Sequence, residues 1–261
     1  MSTGWHSPMV RLAYRGTGWS DAGEEQALGA LLPRLAELRV LDLGVGGGRT
    51  TALLAERSAS YLGLDITPAM IEDARGRYPG VDLRVGDAAA LDDLADASFD
   101  LIVFSLNGLD CLGHDDRERF FGECARLLAP GGLLQFSSHN IDGPSYGERP
   151  SLRDVRERLA KPGLAAKAEA VIGGGPRLVL AHRHYRRHAA DQPHGDGWAM
   201  SPLRAHEFRF ACHFATPAEV RRSVTAAGLV VEAIWGSSGA SIALNATTHG
   251  DAFAQFLCRK P

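Results

Sequence analysis

Lysine is nearly missing from this 261-residue chain: only Lys161, Lys167 and Lys260 stand among its 28 basic residues, against 31 acidic ones. With a formal charge of -3, the chain has no general field for a polyanion, which argues against a nucleic-acid partner. A run of some eighteen apolar residues is also lacking, and the start, Met1 to Pro8, has no basic stretch leading into an apolar one. The expectation is therefore a soluble, cytoplasmic protein without a membrane partner. Cysteine is scarce as well. Cys111, Cys124, Cys212 and Cys258 form no Cys-x-x-Cys pair, so neither a disulfide framework nor a zinc knuckle is suggested. What is abundant is apolar side chain, 45% of the residues, enough for a full α/β core with a sizeable insertion.

That core can be followed along the chain. Ala27, Leu28, Leu31, Leu32, Leu35 and Leu38 line one face of a helix expected from Asp21 to Glu37. Val40 to Leu43 reads as a buried strand, interrupted by Gly44-Val45-Gly46-Gly47-Gly48 and followed by a helix from Arg49 to Arg57. Tyr61 to Leu64 is a second strand ending at Asp65, after which Thr67-Pro68 opens a helix. Strands follow at Val81 to Val85, Phe99 to Phe104 and Leu133 to Ser137, the last after a helix from Asp115 to Leu128 that stops at Pro130-Gly131-Gly132. Thr216-Pro217-Ala218-Glu219 is a capping box that launches the last helix, and Leu229 to Ile234 and Phe253 to Cys258 close the series. Strands that alternate with helices imply a parallel sheet covered on both faces.

The chain thus divides into an N-terminal segment with the first helix (1–37), a core (38–140), an insertion (141–215) and the C-terminal part of the sheet (216–261). The insertion holds 12 basic and 8 acidic residues in an otherwise acidic protein. In it, Phe208, Phe210, Cys212 and Phe214 alternate with Glu207, Arg209, Ala211 and His213, as in a strand with one covered face. Leu178, Leu180, His182 and His184 suggest a second strand.

A glycine turn after one strand is weak by itself, because dinucleotide enzymes, kinases and plain turns all use it. Here it stands in a series: Asp42-Leu43-Gly44-Val45-Gly46-Gly47-Gly48, then Asp65, then Gly86-Asp87-Ala88, then Phe99 to Phe104, then Leu128-Ala129-Pro130-Gly131-Gly132. In this order the set resembles the class I, Rossmann-like S-adenosylmethionine-dependent methyltransferases of small-molecule type, over most of the chain from Leu38 to Arg259 outside the insertion. The resemblance implies a doubly wound α/β fold with a seven-stranded, mostly parallel sheet, its last strand antiparallel, and a cap insertion after the fifth strand. It also implies S-adenosylmethionine as cofactor. Asp42, Gly44, Gly46 and Gly48 would surround the methionine part, Asp65 would take the ribose hydroxyls with Ile66 and Met70 beside it, and Asp87 and Ala88 would face the adenine. Phe104, Ser105 and Leu106 would line the pocket where the methyl group leaves. By the same resemblance, residues 9–19 would form a lid whose Tyr14 reaches the cofactor.

The expected acceptor is an N or O nucleophile of a small molecule, a secondary metabolite or a sugar, with the insertion serving acceptor binding, homo-oligomerisation or both. His139, just after the fifth strand, is the candidate general base, since an imidazole titrates near neutral pH. No metal is expected: Asp110 and Asn140 match a magnesium site only in part, and His182, His184, His188, His194, His206 and His213 show no ligand spacing with a cysteine. Two other readings stand beside this one. An NAD-dependent oxidoreductase shares the glycine loop and Asp65 but leaves Gly86-Asp87-Ala88 unexplained, and a non-catalytic cofactor-binding protein could be built on the same fold. A base-modifying enzyme would need a Pro-Pro-aromatic platform where Ser105-Leu106-Asn107-Gly108 stands.

Overall fold

The computed structural model describes residues 20–152, 164–190 and 192–261. The chain segment 9–19, with Tyr14, lies outside them. Sheet order follows from where apolar runs can be covered on both faces. Strands β1 (Arg39–Leu43), β2 (Ser60–Asp65), β3 (Leu83–Val85), β4 (Phe99–Phe104) and β5 (Leu128–Asn140) lie parallel in the order β3-β2-β1-β4-β5. Beyond β5 come β10 (Phe253–Arg259) and then β9 (Val230–Gly236), with β10 antiparallel to both neighbours. These seven strands are the expected mostly parallel sheet.

Helices α1 (Ala22–Leu31), α2 (Thr51–Ala55), α3 (Pro68–Arg77), α4 (His114–Leu127) and α6 (Pro217–Ala226) connect or flank the strands. Asp21 caps α1 by accepting from Glu24 N at 3.0 Å, and Thr216 caps α6 by accepting from Glu219 N at 3.1 Å. The first helix is shorter than its apolar face suggests, because Pro33 has no N–H to donate and Leu32–Glu37 tightens into a 3-10 helix. In the core, Phe104 meets Phe120, Phe120 meets Phe121, Phe121 meets Phe136 and Phe136 stacks on Phe256, a continuous aromatic chain across the sheet.

The insertion departs most from expectation. Residues 178–184 belong to a 26-residue helix, α5 (Leu164–Ala189), not to a strand. Val179 and Leu180 are exposed there, and His182 Nδ1 lies 2.9 Å from Leu178 O, one helical turn back. Phe208, Phe210, Cys212 and Phe214 are all buried, as their alternation implied, yet the strand β8 covers only Ala211–Ala215. Glu207 and Phe208 adopt left-handed backbone, which turns the chain before the strand can start. Strand β7 (Trp198–Pro202) pairs antiparallel with β8, and the short β6 (His194–Gly195) pairs with β7. The sheet therefore has ten strands.

The position of β8 matters for the site. At His139 one edge of β5 is taken by Phe253 of β10, so the pairing of His139 with Phe214 must use the other edge. That is the edge β4 occupies as far as Phe136 and then leaves. The insertion thus extends the sheet just past the end of β4, over the carboxyl ends of the core strands.

Candidate active site

Ends of parallel strands are where loops diverge and leave a crevice in open α/β sheets. Here a cavity of about 520 Å³ opens beyond β1, β2, β3 and β4. It is lined by Gly44 and Gly46 after β1, Asp65 and Ile66 at β2, Met70 of α3, Asp87 and Ala88 after β3, and Phe104, Ser105 and Leu106 at β4. The structure thereby brings ten of the residues named from sequence to one wall.

The glycine loop is held from below. Gly44 and Gly46 have φ of +66° and +53°, a region L side chains rarely adopt. A Cβ on Gly44 would stand 2.8 Å from Phe104 Cε2. Gly44→Ala should accordingly lower stability by about 1–2 kcal/mol in urea denaturation, the cost of left-handed backbone, and push Phe104 into the cavity. Gly46 N donates to Asp65 Oδ2 at 2.8 Å, and Thr67 N donates to Asp65 Oδ1 at 2.8 Å. Each carboxylate oxygen thus keeps an acceptor position for a ligand hydroxyl. Burial raises the Asp65 carboxyl, opposed by these two N–H donors.

Two residues assigned to the cofactor wall sit behind it. Asp42 is buried, and its Oδ2 accepts from Thr50 Oγ1 at 2.9 Å and from Tyr61 OH at 2.8 Å, fastening the glycine loop to α2 and β2. Burial pushes its carboxyl up to about 6. Gly48 also lies off the cavity, where a Cβ would meet the Tyr78 ring at 2.5 Å, so its role is close packing. Sequence reasoning missed Thr67, Gly108, Cys111, Leu112, Gly113 and Asp116 on the cavity wall. The left-handed Leu106 and Asn107 fold the chain after β4 into a 3-10 turn ending at Cys111, a geometry no motif announced.

His139 is placed differently from expectation. Its ring is buried between Phe214 and Phe253 and is not part of the cavity wall. Burial lowers its pKa from 6.5 to about 3, so the ring is neutral at pH 7 and a weak base. A folded-state value below the unfolded one adds stability that is complete above 6.5 and lost as the pH falls toward 3. The same holds for His206, lowered to about 4, and His213, lowered to about 2, by burial first. From pH 7 to pH 5, His139→Gln should lose about 2 kcal/mol less stability than the parent in urea titrations.

Beside the cavity lies a closed polar knot. Arg117 and Asp110 are both fully buried and meet at 2.7 Å. Ser138 Oγ donates to Asp110 Oδ1, and His139 N donates to Asp110 Oδ2. This knot ties α4 and the turn after β4 to the far end of β5.

Comparison with known proteins agrees with this geometry. Residues 40–132 match the family model of a methyltransferase domain. A trans-aconitate 2-methyltransferase of Methylobacterium nodulans is 36% identical over 152 residues, 58% of this chain and 55% of that one. A malonyl-[acyl-carrier protein] O-methyltransferase of Methylococcus capsulatus is 44% identical over 105 residues, 38% of this chain and 37% of its own. The chain therefore spans about half or less of the length of these curated relatives. Among solved structures, the CcbJ methyltransferase of Streptomyces caelestis shares the fold with a TM-score of 0.57 at 17% identity, covering 95% of this chain and 92% of that one. The amino pentose methyltransferase CalS10 of Micromonospora echinaspora, solved with S-adenosylmethionine bound, superposes with a TM-score of 0.54 at 20% identity over 98% of each chain. Among the described residues no helix is long and apolar enough to cross a membrane.

Proposed function

We propose that this protein is an S-adenosylmethionine-dependent methyltransferase that transfers a methyl group to an oxygen or nitrogen nucleophile of a small molecule. The observation that carries the reading is Asp65: a carboxylate fixed by Gly46 N and Thr67 N, facing the cavity with acceptor positions to spare. Two hydroxyls on one ligand suit such a group, as charge-assisted hydrogen bonds. The residues present fit the cofactor: Asp65 and Ile66 would hold the ribose, Asp87 and Ala88 the adenine, and the N-terminal glycine loop the amino-acid end. When bound, the cofactor supplies a methyl group already activated by positive charge on sulfur.

What is left to the protein is mainly to place the acceptor in line and to exclude water. Phe104, Ser105 and Leu106 with the turn through Cys111 would form the acceptor side. The seam between this turn and β8 supports a role for the insertion in choosing the acceptor. Its excess of arginine suits an acceptor with anionic groups, and the two curated relatives above carry names of acid methylation. A secondary metabolite or a sugar acid satisfies the same chemistry. His139, off the cavity wall, has no part in this reading; an anionic acceptor such as a carboxylate needs no base, and a neutral amine gives up its proton to solvent after transfer. Titrating the purified chain with S-adenosylmethionine and with NAD+, then following S-adenosylhomocysteine release over a panel of small acids, amines and sugars, tests the proposal. Binding of NAD+ in preference to S-adenosylmethionine would overturn it.

A further inference from the structure

The turn after β4 and the insertion bring together three side chains to which the methyl-transfer reading gives no chemical role. Cys111 ends the 3-10 turn and lines the cavity, His206 lies in the 3-10 turn Arg204–His206, and Cys212 sits on β8. Their ligand atoms all lie within 4.8 Å of one another, and His206 and Cys212 are buried. We propose that Cys111, His206 and Cys212 bind a zinc ion at the seam between the cofactor cleft and the insertion.

Donor chemistry and geometry both support the assignment. Two thiolates and an imidazole are the soft donor set of tetrahedral zinc. With zinc–sulfur near 2.3 Å and zinc–nitrogen near 2.1 Å, the edges of such a tetrahedron are about 3.5–3.8 Å, so the donors need only a small closure. The His206 ring is already oriented by stacking on Phe210 at 4.6 Å. Three protein ligands leave the fourth corner for water or for an anionic group of a molecule in the cavity. On binding, each thiol gives up its proton to solvent, and the charges of two thiolates balance the ion.

A second group, His114, His213 and Glu219, also lies within ligand distance, but it is the weaker host. His114 Nδ1 and His213 Nε2 already share a proton at 3.2 Å, and the His114 ring is stacked on Trp198 at 3.8 Å. The buried guanidinium of Arg117 acts on both His213 and Glu219 and opposes a cation there, whereas Cys212 already hydrogen-bonds Cys111 and has the carboxylate of Asp110 near it. The choice of the cysteine site is independent of the methyl-transfer reading.

The test uses the full chain, reduced and stripped of metal, titrated with Co2+ as a spectroscopic probe and then with Zn2+. One equivalent of Co2+ should give the sulfur-to-metal band in the near ultraviolet and the visible bands of a tetrahedral ion, and Zn2+ should displace it. Cys212→Ser should diminish the near-ultraviolet band to that of the one remaining thiolate and weaken zinc binding about a hundredfold or more, since the binding of the ion is shared among few ligands. His206→Ala, which keeps both thiols, should weaken zinc binding at least about tenfold on the same grounds. A cooperative melting transition and an unchanged far-ultraviolet circular dichroism spectrum confirm that each variant is folded. His114→Ala should keep the bands; their loss would move the ion to the neighbouring group and overturn the proposal. Absence of a sulfur-to-metal band in the parent, or zinc affinity unchanged by His206→Ala, would overturn it as well.

Discussion

Asp65→Ala is expected to weaken S-adenosylmethionine binding by about a hundredfold or more. Two hydrogen bonds from ligand hydroxyls to a carboxylate contribute about 1.5–3 kcal/mol each, and a tenfold change in affinity is about 1.4 kcal/mol. The substitution also removes the acceptors of Gly46 N and Thr67 N, so the glycine loop loses the contact that fixes its height over β2. Asp65→Asn separates the two effects, because it keeps the shape and one acceptor oxygen while losing the charge. Its affinity should fall between those of the parent and the alanine variant. Isothermal titration measures both, and an affinity for the alanine variant within a few-fold of the parent would overturn the cofactor assignment of the cavity.

Arg117→Ala should cost the fold about 3–5 kcal/mol, because it leaves Asp110 buried without its countercharge. For a chain of this size, about 2–4 °C of melting temperature goes with each kcal/mol, so a drop of about 6–20 °C should appear in calorimetry. The expected effect is larger than that of a surface pair such as Arg84 with Asp82, which is exposed to water and worth well under about 1 kcal/mol. Replacing both partners, Asp110→Leu with Arg117→Met, should recover much of the loss, since two apolar side chains of similar volume leave no charge unpaired. A single-variant loss below about 1 kcal/mol would mean that water reaches the pair in solution. The pair also fixes the cleft: Asp110 precedes Cys111 in the turn that walls the acceptor side, and it holds His139 N and Ser138 of β5. Loss of acceptor affinity should therefore accompany the loss of stability.

The cavity wall at the ends of β1 to β4 could be read from the sequence because its placement is local. Gly44 and Gly46 follow their strand directly, Asp65 ends the next, and Asp87 and Phe104 close the two after that; each residue is placed by its own strand end, whatever the rest of the chain does. In parallel strands all those ends lie on one side of the sheet, so order along the chain becomes neighbourhood in space. Residue type alone could not say which motif members face the ligand. Asp42, in β1, and Gly48 belong to the same motif as Gly44 and Gly46, yet the hydrogen bonds of Asp42 to Thr50 and Tyr61 and the ring of Tyr78 beside Gly48 place them behind the wall.

The acceptor half was decided by tertiary structure. His139 follows the fifth strand, as the motif order required, but β5 runs on to Asn140 and gains neighbours on both edges, so the ring that was to enter the cleft is enclosed by Phe214 and Phe253. Leu178 to His184 showed a two-residue alternation over too short a stretch to distinguish strand from helix. Cys111, His206 and Cys212 are separated by up to a hundred positions and share no motif. They meet only because β8 pairs with β5 where β4 has ended, a contact whose partners lie far apart in sequence and whose register depends on the burial of Phe210, Cys212 and Phe214 together. Local patterns in the sequence set which segments become strands and which residues gather at their carboxyl ends; long-range strand pairing, which burial rewards only once the chain is folded, set what faces them from the other side.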